Sequence, residues 1–519
     1  MAENKHWAEQ LAERVLAEKK PPFVTGAGTT PSGPVHFGTV CEFLYPAKIR
    51  DMLKKGGHET GYNFVIDIMD AFDKVTVSML PYEKELAPHL GKPLCDVPDP
   101  TGKTKSYGDY FYFQIRDVVS AFGVETNFVR MDELYASGKM DKYAKFFLQN
   151  EAQAKELVAR TSGRTIDAKP GTGSGKQGGD WSPIMPICEK CGKIATTRVV
   201  SHDSENYEYA CDKILKYTKG CGHAGKDSIY NHHYKILWRL DWPARLDLLG
   251  TSCEGAGVDH FTKGGSRDTL EAVFREMFKK EPPIGYRFGF ILFEGKKYSK
   301  SKGIGMDVNE LLTLLPPEVI TFILVRPDVD ENKDIVTSKE NMLKMVEEYE
   351  QSQQFAEKME TQNAEPGTAD RAEHKRALAY QLAGKRHWKT SFRDIMMYHS
   401  VHQDWDKVGE LVGDVEGVRY LKPYLEAWKV RGFIPDEFNF IYNPKKAEGN
   451  VKDLFSSLSE GMSADDLQNG VFEFAKARSI APGAFFKEIY MTLIGKERGP
   501  RLGKFIFALG VEKIKKDLL

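Results

Sequence analysis

The sequence predicts an α/β fold: a doubly wound parallel sheet that carries a cysteine-bearing insertion and is followed by an all-α C-terminal domain. Three observations predict it. A short apolar run at 22–26 ends in glycine, crosses a loop with Gly28, Pro31 and Gly33, and opens into a helical pattern from Phe37. A second apolar run at 288–293 leads into a lysine-rich loop, so strands return after a long interval. From 338 onward, apolar residues such as Met342, Met345 and Val346 recur at helical spacing.

The first unit reads as a buried strand, a turn and a helix. Glycine lets a backbone approach a ligand with no Cβ in the way. Val40, Phe43, Leu44 and Ala47 repeat at helical spacing, Pro46 falls inside the pattern as a kink, and Gly56-Gly57 stops it. Free N–H groups at such a helix mouth favour phosphate by roughly 0.3–1 kcal/mol. His36 and Thr39 stand at that mouth. His36 can donate to a phosphate oxygen, and Gly38 leaves flat space for a purine or ribose. The turn holds no Gly-x-Gly-x-x-Gly, so it is not a dinucleotide fingerprint.

The late unit places Lys296, Lys297, Lys300 and Lys302 within residues 296–303, with Ser299 and Ser301 between them. Ammonium groups are compact point charges suited to a triphosphate whose charge moves during reaction. A solvated basic turn is the ordinary fate of such a run. The alternation of Ser with Lys after Tyr298 sets this one apart and predicts a cationic lid.

Together the two segments resemble the signatures of class I aminoacyl-tRNA synthetases. His36-Phe37-Gly38-Thr39 resembles the His-Ile-Gly-His motif, departing conservatively at Phe37 and by Thr39 for the last His. Lys297-Tyr298-Ser299-Lys300-Ser301 resembles Lys-Met-Ser-Lys-Ser and departs at Tyr298 alone. The opening Gly28-x-Thr30-Pro31-Ser32-Gly33-x-Val35-His36-x-Gly38 narrows the likeness to class I lysyl-tRNA synthetases. So do the segments 67–75, 239–245, 257–260 and 497–503, and the likeness covers almost the whole chain. Several of these elements are shared with the related glutamyl enzymes.

The resemblance implies a Rossmann-type catalytic domain that joins L-lysine to tRNA(Lys) through a lysyl-adenylate, with ATP as substrate and Mg²⁺ beside it. It implies catalytic roles for His36, Lys297 and Lys300. Thr30, Ser32, Gly33, His36, Gly38, Thr39, Asp259, His260, Ser299, Lys300 and Ser301 are the expected ATP-binding residues. For lysine, the expected residues are Gly28, Asp67, Asp70, Trp242 and Tyr286. The residues themselves agree. Asp67, Asp70 and Asp73 follow a strand end, where open α/β sheets place ligand contacts, and a carboxylate there can hold an ammonium ion. Trp242 or Trp238 can cover the aliphatic stem.

Composition bounds the rest. The chain has 519 residues, 41% hydrophobic and 28% charged, and a net charge of −1, so overall charge gives no sign of nucleic acid. From Arg371 onward, 25 Lys and Arg face 20 Asp and Glu, a slight basicity at the helical end. A charged start and short apolar runs predict neither signal peptide nor membrane span, with cytoplasm as the expected compartment and a monomer as the expected state.

Cys188-x-x-Cys191-Gly and Cys211 with Cys221-Gly are two thiolate pairs for one structural Zn²⁺, with His223 as an alternative fourth ligand. Cys253 reads as a packing residue in a glycine-rich loop. A P-loop lookalike at 170–179 fails because Pro170 stands for the first glycine and Gln177 for the hydroxyl residue.

The predicted domains are 1–130 and 236–337 for the two catalytic halves, with strands near 22, 62 and 124. Residues 131–235 form the zinc-bearing insertion, which begins with a helix over 142–160 and continues through a flexible loop at 161–180. Residues 338–519 form the helical domain, which in the resembled family binds the anticodon. Two alternatives stand beside this reading: a related specificity, chiefly glutamate, and a non-catalytic tRNA-binding paralogue. The paralogue would be free to lose His36, Lys297 and Lys300, all of which are present.

Overall fold

The computed structural model describes residues 5–162, 181–297, 306–361 and 371–519. One compact unit comprises 1–309, 324–335 and 365–382; the other comprises 310–323, 336–364 and 383–519.

The first unit is built on a five-stranded sheet. β1 (Phe23–Thr29) lies at its centre, flanked by β2 (Thr60–Ile66) and the strand Thr251–Gly257. β3 (Asn127–Arg130) and the strand Ile284–Phe288 form the edges. All four pairings are parallel. The order reverses at β1, so the crevice beyond the C-terminal ends of β1 and its neighbours is the switch point where such sheets bind ligands. Buried aromatic and aliphatic side chains from β1, β2 and α2 (Phe37–Lys55) fill the space behind that crevice.

Local chemistry explains where elements begin and end. α2 is capped by His36 and stops at Gly56, with Pro46 accommodated inside it. β3 starts three residues later than the expected strand near 124. Gly123, at φ 64°, ends the helix Tyr107–Ala121 and spends the intervening residues on the turn. The helix expected over 142–160 is two helices, Asp141–Gln149 and Glu151–Ser162. Asn150 separates them, its side-chain amide donating to Phe146 O at 2.8 Å and closing the first.

The apolar run 288–293 is likewise divided. Phe288 ends a strand of the main sheet, whereas Ile291–Phe293 joins a small sheet with Lys296–Lys297 and Lys333–Ile335. Gly289 makes the crossing because a Cβ there would lie 2.3 Å from Glu331 O. Cys253 is in a strand rather than a loop, buried in Thr251–Gly257.

The insertion contains an antiparallel three-stranded sheet, Thr197–His202, Asn206–Cys211 and Ala224–Ser228, and a two-stranded pair of Ile184–Pro186 with Tyr234–Ile236. The expected flexible loop at 161–180 lies, from 163 on, outside the described residues.

Among its described residues, the regular elements of the second unit are all helices. They include Lys339–Thr361, Phe392–His402, Trp405–Val412, Val415–Arg431 and Ala464–Ala477. The end of the expected helical domain is three helices, Pro482–Ile494, Leu502–Leu509 and Val511–Leu518, separated at Gly495 and Gly510, both of positive φ. Among the described residues, no single helix is long and apolar enough to cross a membrane.

Candidate active site

A cleft of about 850 Å³ opens at the switch point. Its walls include Gly28 and Thr30 after β1, Glu42 from α2, Asp67 and Asp70 after β2, Trp238 and Arg245, and Asp259 and His260 after Thr251–Gly257.

The mouth of α2 is shaped by His36. Its backbone is extended, at φ −128° and ψ 167°, and its Nδ1 accepts the N–H of Thr39 at 3.1 Å. A neutral ring therefore carries its proton on Nε2. The imidazole folds over Gly38, where a Cβ would meet ring atoms at 2.9 Å. Thr39 is buried in the first turn. Ser32 accepts at its carbonyl from the Tyr107 hydroxyl at 3.1 Å, and Gly33 passes against Thr76.

Asp259 and His260 occupy a one-turn helix at the end of the strand Thr251–Gly257. His260 Nδ1 lies 2.6 Å from Ser266 Oγ, and burial holds its pKa below the usual value, so the ring is neutral at pH 7. It meets the Trp242 ring edge-on at 5.7 Å.

Asp67 and Asp70 both line the cleft, yet both already hold a cation of the chain. Lys235 Nζ donates to Asp67 Oδ1 at 2.6 Å and also to Asp70 Oδ1. Arg245 donates to the second oxygen of Asp67 at 3.2 Å, and Thr30 donates to the second oxygen of Asp70 at 2.7 Å. Burial and the Asp70 charge push Asp67 up. Against the same burial, Lys235 and Thr30 draw Asp70 below the usual carboxylate range. Gly28 is small because a Cβ there would lie 2.9 Å from Arg245 Nη2.

Trp242, the residue expected over the lysine stem, is buried with its indole N–H donated to Glu254 at 2.7 Å. Trp238 stacks on it at 5.4 Å and presents the aromatic surface to the cleft. Tyr286 is buried in the edge strand Ile284–Phe288, against Gly255.

The sequence reading missed Glu42, Lys235 and Glu254. Glu42 Oε2 is buried with no hydrogen-bond partner, as is Glu254 Oε2. Burial pushes the Glu42 carboxyl up to about 8; the Glu254 charge reinforces the shift, and a hydrogen bond from Thr29 opposes it. An unpartnered carboxylate at a cleft is costly unless a cation arrives. The available signal for Glu42 was its place on the first turns of α2, six residues after His36; Lys235 gave none.

Of the lysine-rich loop, Lys296 and Lys297 close a short hairpin, with Lys297 paired to Leu292 through the backbone. Ser299, Lys300 and Ser301 lie outside the described residues.

The four cysteines meet. The Sγ atoms of Cys188, Cys191, Cys211 and Cys221 all lie within 4.8 Å of one another, with 3.7 Å between Cys188 and Cys221 and between Cys191 and Cys211. Tetrahedral zinc with bonds of about 2.3 Å needs sulfur–sulfur edges of about 3.8 Å, so the set fits. Gly192 and Gly222, at φ 71° and 78°, turn the chain after Cys191 and Cys221. His223 is engaged elsewhere, its Nε2 lying 2.6 Å from Glu189 Oε1.

The chain is similar to known proteins along almost its whole length. The profile of a family described as tRNA synthetases class I (K) matches residues 5–381. A lysine–tRNA ligase of Archaeoglobus fulgidus is 28% identical, the match spanning 99% of this chain and 99% of that one. One of Borreliella burgdorferi is 26% identical over 98% of each. Among solved structures, a glutamate tRNA ligase of Elizabethkingia meningosepticum matches with a TM-score of 0.43 at 11% identity, over 95% of this chain and 98% of that one.

Proposed function

The chain belongs to the class I (K) family of tRNA synthetases, and from that membership we propose that it is a lysine–tRNA ligase. It attaches L-lysine to tRNA(Lys) at the expense of ATP, releasing AMP and pyrophosphate. Full-length similarity to lysine–tRNA ligases carries this reading. The cleft supports it through Glu42, a buried carboxyl group with one oxygen unpartnered.

The reaction needs no enzyme nucleophile. The lysine carboxylate attacks the α-phosphate and pyrophosphate leaves; a hydroxyl of the terminal ribose then attacks the acyl carbon and AMP leaves. Catalysis comes from positioning and from charges placed where charge develops. His36 and the mouth of α2 hold phosphate. Thr30, Ser32, Gly33 and Thr39 shape that loop, and Gly38, Asp259 and His260 seat adenosine. Lys297 and Lys300, with Ser299 and Ser301, stabilise the departing pyrophosphate. Magnesium bound with ATP spreads the triphosphate charge.

For the amino acid, Asp67 and Asp70 are already engaged by cations of the chain, Lys235 on both and Arg245 on Asp67. The substrate ammonium therefore goes to Glu42, with Trp238 over the stem and Gly28 beside it. Trp242 supports Trp238 from behind, and Tyr286 backs the sheet. Cys188, Cys191, Cys211 and Cys221 hold a structural zinc that closes the insertion. The helical domain over 338–519 takes the anticodon.

The test is ATP–pyrophosphate exchange against all standard amino acids, with and without bulk tRNA. Exchange with lysine alone is expected. Exchange with glutamate alone would replace the specificity, and silence with every amino acid in the presence of tRNA would leave a tRNA-binding protein.

A further inference from the structure

We infer that Lys235 is a positioning residue for Thr30 at the cleft, acting through Asp70. The inference rests on the lysine-activating reading above and adds a residue that the reading does not assign.

Lys235 belongs to the strand Tyr234–Ile236, by which the cysteine-bearing insertion returns to the catalytic unit. Its side chain is 1% exposed, and its ammonium sits between Asp67 and Asp70. Each carboxylate divides its two oxygens between Lys235 and one further donor. Asp67 takes Arg245, entirely inside the protein; Asp70, whose side chain is 37% exposed, takes the Thr30 hydroxyl. The chain of contacts therefore runs from a buried strand to the loop between β1 and His36. The strand is itself pinned, because Ile236 N–H donates to the Tyr135 hydroxyl at 2.9 Å and that hydroxyl donates to Asp241 at 2.5 Å.

Two consequences follow from removing the ammonium. Asp70 loses the partner that fixes its rotamer, so Thr30 loses a fixed acceptor and the loop shifts. Asp70 becomes a carboxylate without a cation beside the cleft, while Asp67 keeps Arg245; Asp70 then competes with Glu42 for the substrate ammonium and repels the triphosphate. A displacement of about 1 Å at a reacting centre costs on the order of 100-fold in rate.

The experiment is a double-mutant cycle with Lys235→Met and Thr30→Val in the full chain. It is read by lysine-dependent pyrophosphate exchange and by amide hydrogen exchange of segment 30–36. Expected are losses of about 100-fold in kcat/KM for Lys235→Met, with the double variant no worse than the poorer single one, since both break one relay. Amide exchange of 30–36 should rise in both single variants while β1 stays protected. Multiplicative losses, or a Lys235→Met enzyme with unaltered kcat/KM and unaltered amide exchange, would overturn the inference. Should Lys235→Met fail to fold, Asp70→Ala takes its place in the cycle, because Asp70 is half-exposed and its loss strands no buried charge in the same way. A wild-type chain silent towards lysine would sink the reaction itself, while amide exchange would still decide the relay.

Discussion

The His36 ring lies directly over Gly38, so that a Cβ at 38 would meet Cε1 and Nδ1 at 2.9 Å. The same Nδ1 accepts the Thr39 N–H and caps α2. Gly38→Ala should therefore displace the imidazole while sparing the fold. Loss of the cap costs about 1 kcal/mol, partly offset by the helix preference of alanine. A fall in lysine-dependent pyrophosphate exchange of about 100-fold is expected, with the melting temperature moved by only a few degrees. Unchanged exchange would remove His36 from the phosphate site.

Glu42 titrates near 8 because it is buried. To receive an ammonium ion it must first lose its proton, so lysine binding releases a proton below that value. KM for lysine should fall about tenfold per unit as pH rises towards 8, then level off. Glu42→Gln should raise KM and flatten the profile. A profile without slope in the wild-type enzyme would place the ammonium elsewhere.

His6 is fully buried at the start of α1 (Trp7–Glu18), its Nε2 2.8 Å from Val325 O, where Trp7 also donates. Burial lowers its pKa from 6.5 to about 4. The unfolded chain thus binds the extra proton first, and stability is lost as pH falls from about 6.5 to about 4. The loss reaches roughly 3 kcal/mol. Denaturant titrations of wild type and His6→Asn should converge at acid pH; parallel curves would reject this assignment.

The cysteine cluster predicts one zinc per chain by metal analysis. Cys191→Ser should lose the metal and loosen the insertion, seen as protease cutting within 188–223. His223→Ala should keep it, because His223 faces Glu189. Zinc lost from the His223 variant alone would reverse the ligand assignment.

Lys300→Ala should reduce pyrophosphate exchange by about 10²–10³-fold, the usual effect of deleting one group that stabilises developing charge. Normal exchange in this variant would free Lys300 of its role.

The parts of the molecule legible in the sequence are those whose signal is local. The turn after β1, the cap at His36 and the stop at Gly56 lie within a few residues of the elements they control. The two cysteine pairs each announce a tight turn, and the turns are there. Apolar periodicity was less decisive. It could not divide 288–293 between two sheets, because the division depends on Gly289 passing Glu331, which is distant in sequence.

Charge partners were the least legible. Nothing near Asp67 or Asp70 in sequence says that Lys235 will occupy them, and the Lys235–Asp67 contact spans 168 positions. The amino acids alone determined the sheet, the turn after β1, the helical end and the two cysteine pairs, since spacing along the chain encodes each; that His223 stands apart from the four cysteines was decided by the fold. Only the tertiary structure decided which carboxylates are already paired with a cation of the chain and that Glu42, at the cleft, keeps an open oxygen. Pairing of buried charges is a property of distance through space, and desolvation enforces it wherever the fold brings opposite charges together.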